Sequence, residues 1–279
     1  MRLAIVQTNP TFGEIGPNIK AAVALMEREK ADLYVLPELF NTGYNFVDIG
    51  EVVRLAEAID GPTFKAVAAF ARAAKCYVAY GFVEQDRAVY NSAILVGPAG
   101  MVGIYRKVHL YYRETLFFTP GNLGFPVFEM PFGKVGLMIC FDWIYPESAR
   151  TLALKGAQLI AHPSNLVMPY CPDAMITRCL ENRIFAATAD RTGEEHRGGI
   201  QLKYIGKSEI VSPRGQVLAS LGNDEIGIKA VEIDLAEARN KKLNEYNDLI
   251  GSRRPDQERR PRPRPDSRPP HVRLPCPRC

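Results

Sequence analysis

The sequence predicts an α+β fold in which two mixed β-sheets pack face to face and helices cover them on the outside. Three observations carry this. Apolar, β-branched runs of strand length recur along the 279-residue chain and alternate with amphipathic stretches of helix length. Residues 76–110 hold three strand-like runs separated only by short turns, a meander that a purely parallel, doubly wound sheet would not contain. A second strand-rich stretch, residues 204–233, follows a helix–strand alternation, so the chain has two β-containing halves. Hydrophobic content of 47% suits one large domain with a well-buried core.

Taken in order, residues 2–8 are rich in aliphatics and predict a strand, and after Gly16-Pro17-Asn18 an amphipathic helix runs to about residue 29. Residues 32–36 form a short apolar run, a buried strand that ends in Pro37-Glu38. Residues 51–59 and 63–75 read as helices, the second carrying Phe64, Val67, Ala68 and Ala71 on one face. Strands over 76–83 and 89–96 flank the polar turn Glu84-Gln85-Asp86-Arg87, and a third follows Pro98-Ala99-Gly100 and runs through Leu110. An apolar run from Lys134 leads to Cys140, and a proline-opened helix spans 146–155. A strand at 158–161, the loop His162-Pro163-Ser164-Asn165 and a helix from about 173 to 187 come next. Strands at 204–211, 217–220 and 226–233 and a short helix from 235 to about 243 close the body. From Arg253 onward Pro and Arg alternate almost without aliphatic residues, which predicts an extended, disordered tail over 253–279 behind one domain over 1–252.

The net charge of +4 is misleading until it is located. Residues 252–279 hold nine Arg against three acidic residues, a surplus of six that leaves the body at −2, so no nucleic-acid groove is expected. No apolar run is long enough to span a bilayer. The N-terminal segment enters a strand without the apolar region and cleavage site of a signal peptide, which makes the cytoplasm the default location. The six cysteines have no repeating spacing and predict no disulfide framework. Cys276-Pro277-Arg278-Cys279 has CxxC spacing but lacks a second pair of ligands, so no metal site is expected.

The stretch around which the rest is arranged is residues 134–150. It places Cys140 where a strand ends and a helix is about to begin. A rigid strand stands behind such a residue, and the free N–H groups of the following turn favour an anion, either a thiolate or the oxyanion formed when it attacks a carbonyl. Taken alone, Cys140 reads first as an inert core cysteine, and its company elsewhere in the chain shifts that reading. Glu38 directly follows a buried strand, at the end where open α/β sheets bind ligands; in isolation it also fits a surface glutamate. Lys107 sits among apolar and aromatic neighbours in Tyr105-Arg106-Lys107-Val108-His109-Leu110 and shares a face with His109 if the strand continues. The aromatic loop 111–121 after it carries Glu114 and is suited to excluding water.

A carboxylate, an ammonium and a thiol in this order, each at a predicted strand end, resemble the nitrilase superfamily of carbon–nitrogen hydrolases. Leu36-Pro37-Glu38-Leu39, the Lys107 segment, and Met138-Ile139-Cys140-Phe141-Asp142 with Pro146-Glu147-Ser148-Ala149-Arg150 match its three motifs. The likeness extends through Glu181-Asn182-Arg183 and Gly206-Lys207-Ser208 to about residue 254; the loop 194–201 and the tail do not match. The resemblance implies a four-layer αββα sandwich, a homodimer or higher homo-oligomer, a small-molecule substrate and no cofactor. It also implies Cys140 as nucleophile, Lys107 as the cation that favours thiolate and stabilises the oxyanion with the Phe141 N–H, Glu38 as the proton carrier, and Glu114 as the group that holds Lys107. Tyr44, Trp143 and Asn165 are the pocket candidates. The motif surroundings look most like small aliphatic nitrilases of thermophilic microbes, with ω-amides and N-carbamoyl amines as alternative substrates. A Cys-His hydrolase using His109 or His162, a redox cysteine and a non-enzymatic binding protein are the competing readings.

Overall fold

The computed structural model describes residues 1–258. Strands β1 (Arg2–Gln7), β2 (Leu33–Val35), β3 (Tyr77–Gln85), β4 (Val89–Gly97) and β5 (Gly100–Arg106) form one sheet, whose other edge is β14 (Gly227–Glu232) beside β1. Strands β6 (Val127–Met130), β7 (Gly133–Leu137), β8 (Leu159–Pro163), β9 (Phe185–Ala189), β12 (Glu209–Val211) and β13 (Val217–Ser220) form the second, in the order β13-β12-β9-β8-β7-β6. In each sheet three parallel strands, β1-β2-β3 or β7-β8-β9, are flanked by antiparallel ones. A separate hairpin, β10 (Glu194–Arg197) and β11 (Ile200–Lys203), stands outside both.

The period-two alternation of the strands decides the layering. On β1 and β2, Leu3, Ile5, Leu33 and Val35 point into a core shared with Val135, Leu137, Leu159, Ala161 and Phe185 of the other sheet. Their neighbours Ala4, Val6, Tyr34 and Leu36 face the opposite way, against Ile19, Ala22 and Met26 of helix α1 (Ile15–Met26) and Val67 and Ala71 of α3 (Pro62–Ala74); α2 (Ile49–Leu55) packs against β3 and against the short α4 (Glu114–Phe117). Helices α5 (Pro146–Leu154) and α6 (Cys171–Asn182) bring Leu152, Met175 and Cys179 to the second sheet. Each fully buried Leu, Ile or Val contributes about 1.5–3 kcal/mol against the cost of ordering the chain. The result is the αββα sandwich.

Several boundaries differ from expectation. The helix expected to reach residue 187 stops at Asn182, where Arg183 takes a left-handed conformation (φ 48°), and Phe185–Ala189 becomes β9. That segment is alanine-rich and suits a helix locally, but pairing between β8 and β12 decides its conformation. Strand β6 and the hairpin are additions, the strand expected over 204–211 is confined to Glu209–Val211, and the final helix is a 3₁₀ turn, Leu235–Arg239. The third strand of the meander stops at Arg106, so Lys107 and His109 do not share a strand face. One helical turn, α7 (Pro255–Glu258), stands at the start of the Pro/Arg-rich segment; the rest of that segment, with Cys276 and Cys279, lies outside the described residues. Among the described residues no helix is long and apolar enough to cross a membrane, and no three metal-ligating side chains cluster.

Candidate active site

Glu38, Lys107 and Cys140 each follow the end of a strand, β2, β5 and β7 respectively. Two glycines permit the approach. A Cβ on Gly81 of β3 would lie 2.6 Å from the Glu38 Cα, and one on Gly121 would lie 1.9 Å from the Arg106 carbonyl oxygen; as glycine, Gly121 instead donates its N–H to the Lys107 carbonyl at 2.8 Å. The backbone around the two carboxylate and lysine positions is thus fixed from outside the strands that carry them.

The side chains meet in the interior. The Lys107 ammonium, with no solvent exposure, donates to Glu38 Oε1 and to Glu114 Oε1, both at 2.7 Å. Asn91 of β4 donates to the same Glu38 oxygen at 2.6 Å, whereas Glu38 Oε2 is buried without a partner. Glu114 also accepts from the Tyr44 hydroxyl at 2.5 Å and from the Tyr111 N–H at 3.2 Å. Burial lifts the Glu38 carboxyl to about 7 against the pull of Lys107. Burial works against the lysine charge, but Glu114 and Glu38 outweigh it and raise its pKa above the ordinary lysine value.

Cys140 opens a 3₁₀ turn, Cys140–Ile144, in a left-handed conformation (φ 39°), a strained choice for a residue with a Cβ. Two buried groups hold it. The Asp142 carboxylate accepts from the Ile139 N–H at 2.9 Å, the Tyr105 hydroxyl at 2.6 Å and the His109 ring at 2.7 Å. His162 Nε2 lies 3.0 Å from the Cys140 carbonyl and Nδ1 lies 3.0 Å from the Thr188 hydroxyl. A carbonyl only accepts, so His162 donates through Nε2; burial lowers its pKa to about 4 and keeps the ring neutral. The hydrogen bonds of both histidines therefore go to groups other than the sulfur. The Cys140 thiol is 5% exposed and points at the Asn165 carbonyl, 3.6 Å away. Burial raises its pKa well above the ordinary value and Glu38 adds to that, while Lys107 opposes both and is outweighed. Lys107 thus favours the ionised sulfur, as expected, while burial and Glu38 act the other way.

This geometry coincides with a match to one family over most of the chain. The sequence profile described as carbon-nitrogen hydrolase matches residues 2–242. The chain belongs to the carbon–nitrogen hydrolase family. It is 51% identical to a nitrilase of Pyrococcus abyssi over 91% of this chain and 97% of that one, and 33% identical to an (R)-stereoselective amidase of a Pseudomonas species over 86% and 87%. Among solved structures, a carbon–nitrogen hydrolase of Helicobacter pylori superposes with a TM-score of 0.80 at 26% identity, covering 86% of this chain and 91% of that one. An amidase of a Nesterenkonia species, in a form with the acetamide moiety of fluoroacetamide added to its active-site cysteine, gives 0.75 at 26% identity over 92% and 95%.

In this carbon–nitrogen hydrolase the sulfur opens onto a crevice of about 220 Å³ lined by Tyr111, Phe141, Trp143, Asn165, Val167 and Met168. Asn165 is buried with neither its amide oxygen nor its nitrogen partnered, so it presents a donor and an acceptor beside Cys140. Phe141 and Trp143 belong to the Cys140 turn, and the first N–H groups of such a turn have no partner within it. Tyr44, the remaining pocket candidate, donates its hydroxyl to Glu114 and lines a neighbouring cavity with Arg113 and Phe118. Asn91 and Asp142 escaped the sequence reading as site residues, and His162 entered it only as the base of a competing reading. Asp142 lies two residues after Cys140 and could have been flagged by that spacing; Asn91, in a strand expected to be apolar, gives no local signal.

Proposed function

We propose that this protein is a thiol hydrolase that converts a small, neutral aliphatic nitrile or amide to the carboxylic acid and ammonia, with Cys140 as nucleophile. The observation that carries this is the buried Lys107 ammonium bridging two carboxylates at 2.7 Å near the Cys140 thiol, with Glu38 Oε2 unpartnered. Glu38, poised near 7, takes the thiol proton as sulfur attacks the carbonyl carbon. Lys107 and the Phe141 N–H stabilise the oxyanion; Glu38 then gives its proton to nitrogen, the C–N bond breaks, and ammonia leaves a thioester. Glu38 next deprotonates a water that attacks the thioester, and sulfur leaves with the proton. With a nitrile, addition of the thiol across C≡N gives a thioimidate, and water converts it to the tetrahedral species that expels ammonia and joins the same path. Glu114 keeps Lys107 in place.

The crevice residues other than Cys140 carry no formal charge, which supports a neutral substrate tail over the cationic or anionic tails of carbamoyl amines and ω-amides. The relatives named nitrilase and amidase support the reaction class, and the adduct on the Nesterenkonia cysteine supports the role of sulfur. We further propose association through the outer helical layers, where Leu154 and Leu180 are exposed; sedimentation velocity tests it. The function is tested by ammonia release from a panel of small nitriles, ω-amides and carbamoyl compounds, with intact mass to find the Cys140 adduct. Turnover of neutral substrates, abolished in Cys140→Ala, is expected; turnover confined to charged substrates, or persisting in that variant, overturns the reading.

A further inference from the structure

A second buried ion pair lies outside the cluster just described and reaches it through one tyrosine. Glu195, on β10, accepts from Arg191 Nη1 at 2.5 Å and from the Tyr204 hydroxyl at 2.8 Å. Arg191 is 1% exposed, and its guanidinium stacks 4.0 Å above the Tyr204 ring. The same carboxylate accepts from two successive backbone N–H groups, Asn45 at 2.7 Å and Tyr44 at 3.3 Å. Further along that tyrosine, the hydroxyl donates to the Glu114 oxygen that holds Lys107. Three hydrogen-bonded links therefore run from Glu195 of the hairpin through Tyr44 and Glu114 to the lysine.

We propose that Glu195 is a positioning residue of the hydrolase. By fixing the backbone of Tyr44 and Asn45, it aims the Tyr44 hydroxyl at Glu114 and so sets where the Lys107 ammonium stands relative to the oxyanion. Its charge matters because a carboxylate can accept from four donors at once, which a neutral amide with its own N–H groups cannot do. A misplacement near 1 Å at a group so far from the chemistry costs on the order of 100-fold in rate. The inference rests on the Glu–Lys–Cys reading above. A hairpin staple with no link to Lys107 would stabilise the fold equally well, and the test separates the two.

Glu195→Gln, Tyr44→Phe and the double variant are compared by kcat and KM, and by the rate at which iodoacetamide alkylates Cys140, followed by intact mass. Each single change is expected to lower kcat about tenfold or more with KM within about twofold, and the double variant to fall no more than about threefold below the worse single, because both act through one path. Losses that multiply, or an unchanged kcat in Glu195→Gln, overturn the proposal. Should Glu195→Gln fail to fold, the same comparison is made with Glu195→Gln combined with Arg191→Met, which removes both buried charges together. If the wild type turns over no nitrile or amide, the functional reading fails by itself; positioning is then judged from alkylation alone, slowed about tenfold in both single variants if Glu195 acts through Tyr44, unchanged if it does not.

Discussion

Replacing Lys107 by methionine asks whether its ammonium holds the interior together as well as serving the chemistry. Nζ sits 2.7 Å from an oxygen of each of two carboxylates, and all three side chains are at least 97% buried. Removing one partner of a buried ion pair costs about 3–5 kcal/mol because the remaining charge is left without compensation. Here the orphaned carboxyls can take protons, which caps the cost near the lower figure. At roughly 2–4 °C per kcal/mol for a domain of this size, the melting temperature at pH 8 should fall by about 6–12 °C. The pH dependence has a definite sign. Glu38 already stands near 7 with the ammonium present, and loss of the ammonium removes the pull that lowers it, raising that carboxyl further above its unfolded value. Groups so raised stabilise the native state below the unfolded pKa and lose that contribution as pH rises through the folded pKa. The deficit relative to wild type should therefore shrink between pH 8 and pH 5.5, read by circular dichroism melts of both proteins. A deficit under 2 °C at pH 8, or one that grows toward acid, would refute the compensation reasoning.

Other outcomes follow from the same geometry. Under the proposed mechanism Glu38 accepts the thiol proton only when ionised, so kcat/KM should rise with pH along a limb centred near 7; a limb at the ordinary carboxylate range would show that burial does not set its basicity. Gly121→Ala drives a Cβ to within 1.9 Å of the Arg106 carbonyl oxygen; overpacking costs about 1–3 kcal/mol, so a lower urea midpoint together with lost ammonia release is expected. His109→Gln removes one of several donors to Asp142 and should leave kcat within about tenfold, whereas the loss of a general base costs about 10²–10⁴; stopped assays on small amides distinguish the two.

The fold was largely legible because the strands write their two faces into the sequence. Leu3 and Ile5 against Ala4 and Val6 already carry the division between the inter-sheet core and the helical layer. Where local preference and tertiary pairing disagree, legibility ends: Phe185–Ala189 has helical composition and becomes a strand only because β8 and β12 stand on either side. The site divides in the same way. Glu38, Lys107, Glu114 and Cys140 stand at element ends and could be named one by one. Of the partners around them, Asp142 is local to Cys140, but Asn91 and His162 come from separate strands, β4 and β8, whose approach to Glu38 and Cys140 no local pattern encodes. How far folding removes water from Cys140, which raises its pKa, was likewise out of reach.

Strand β14 is the last of its sheet along the chain, yet it lies beside β1, the first, in register from Arg2 with Glu232 to Gln7 with Gly227. On the ribosome, β1 therefore waits with one row of amides and carbonyls unclaimed while Glu38, Lys107 and Cys140 all emerge ahead of its neighbour. A nascent chain stalled before residue 227 would carry the reactive groups but an open sheet edge, the kind of surface that recruits chaperones or other unfinished chains. Competence for hydrolysis should thus arrive abruptly, late in synthesis, rather than build up domain-half by domain-half.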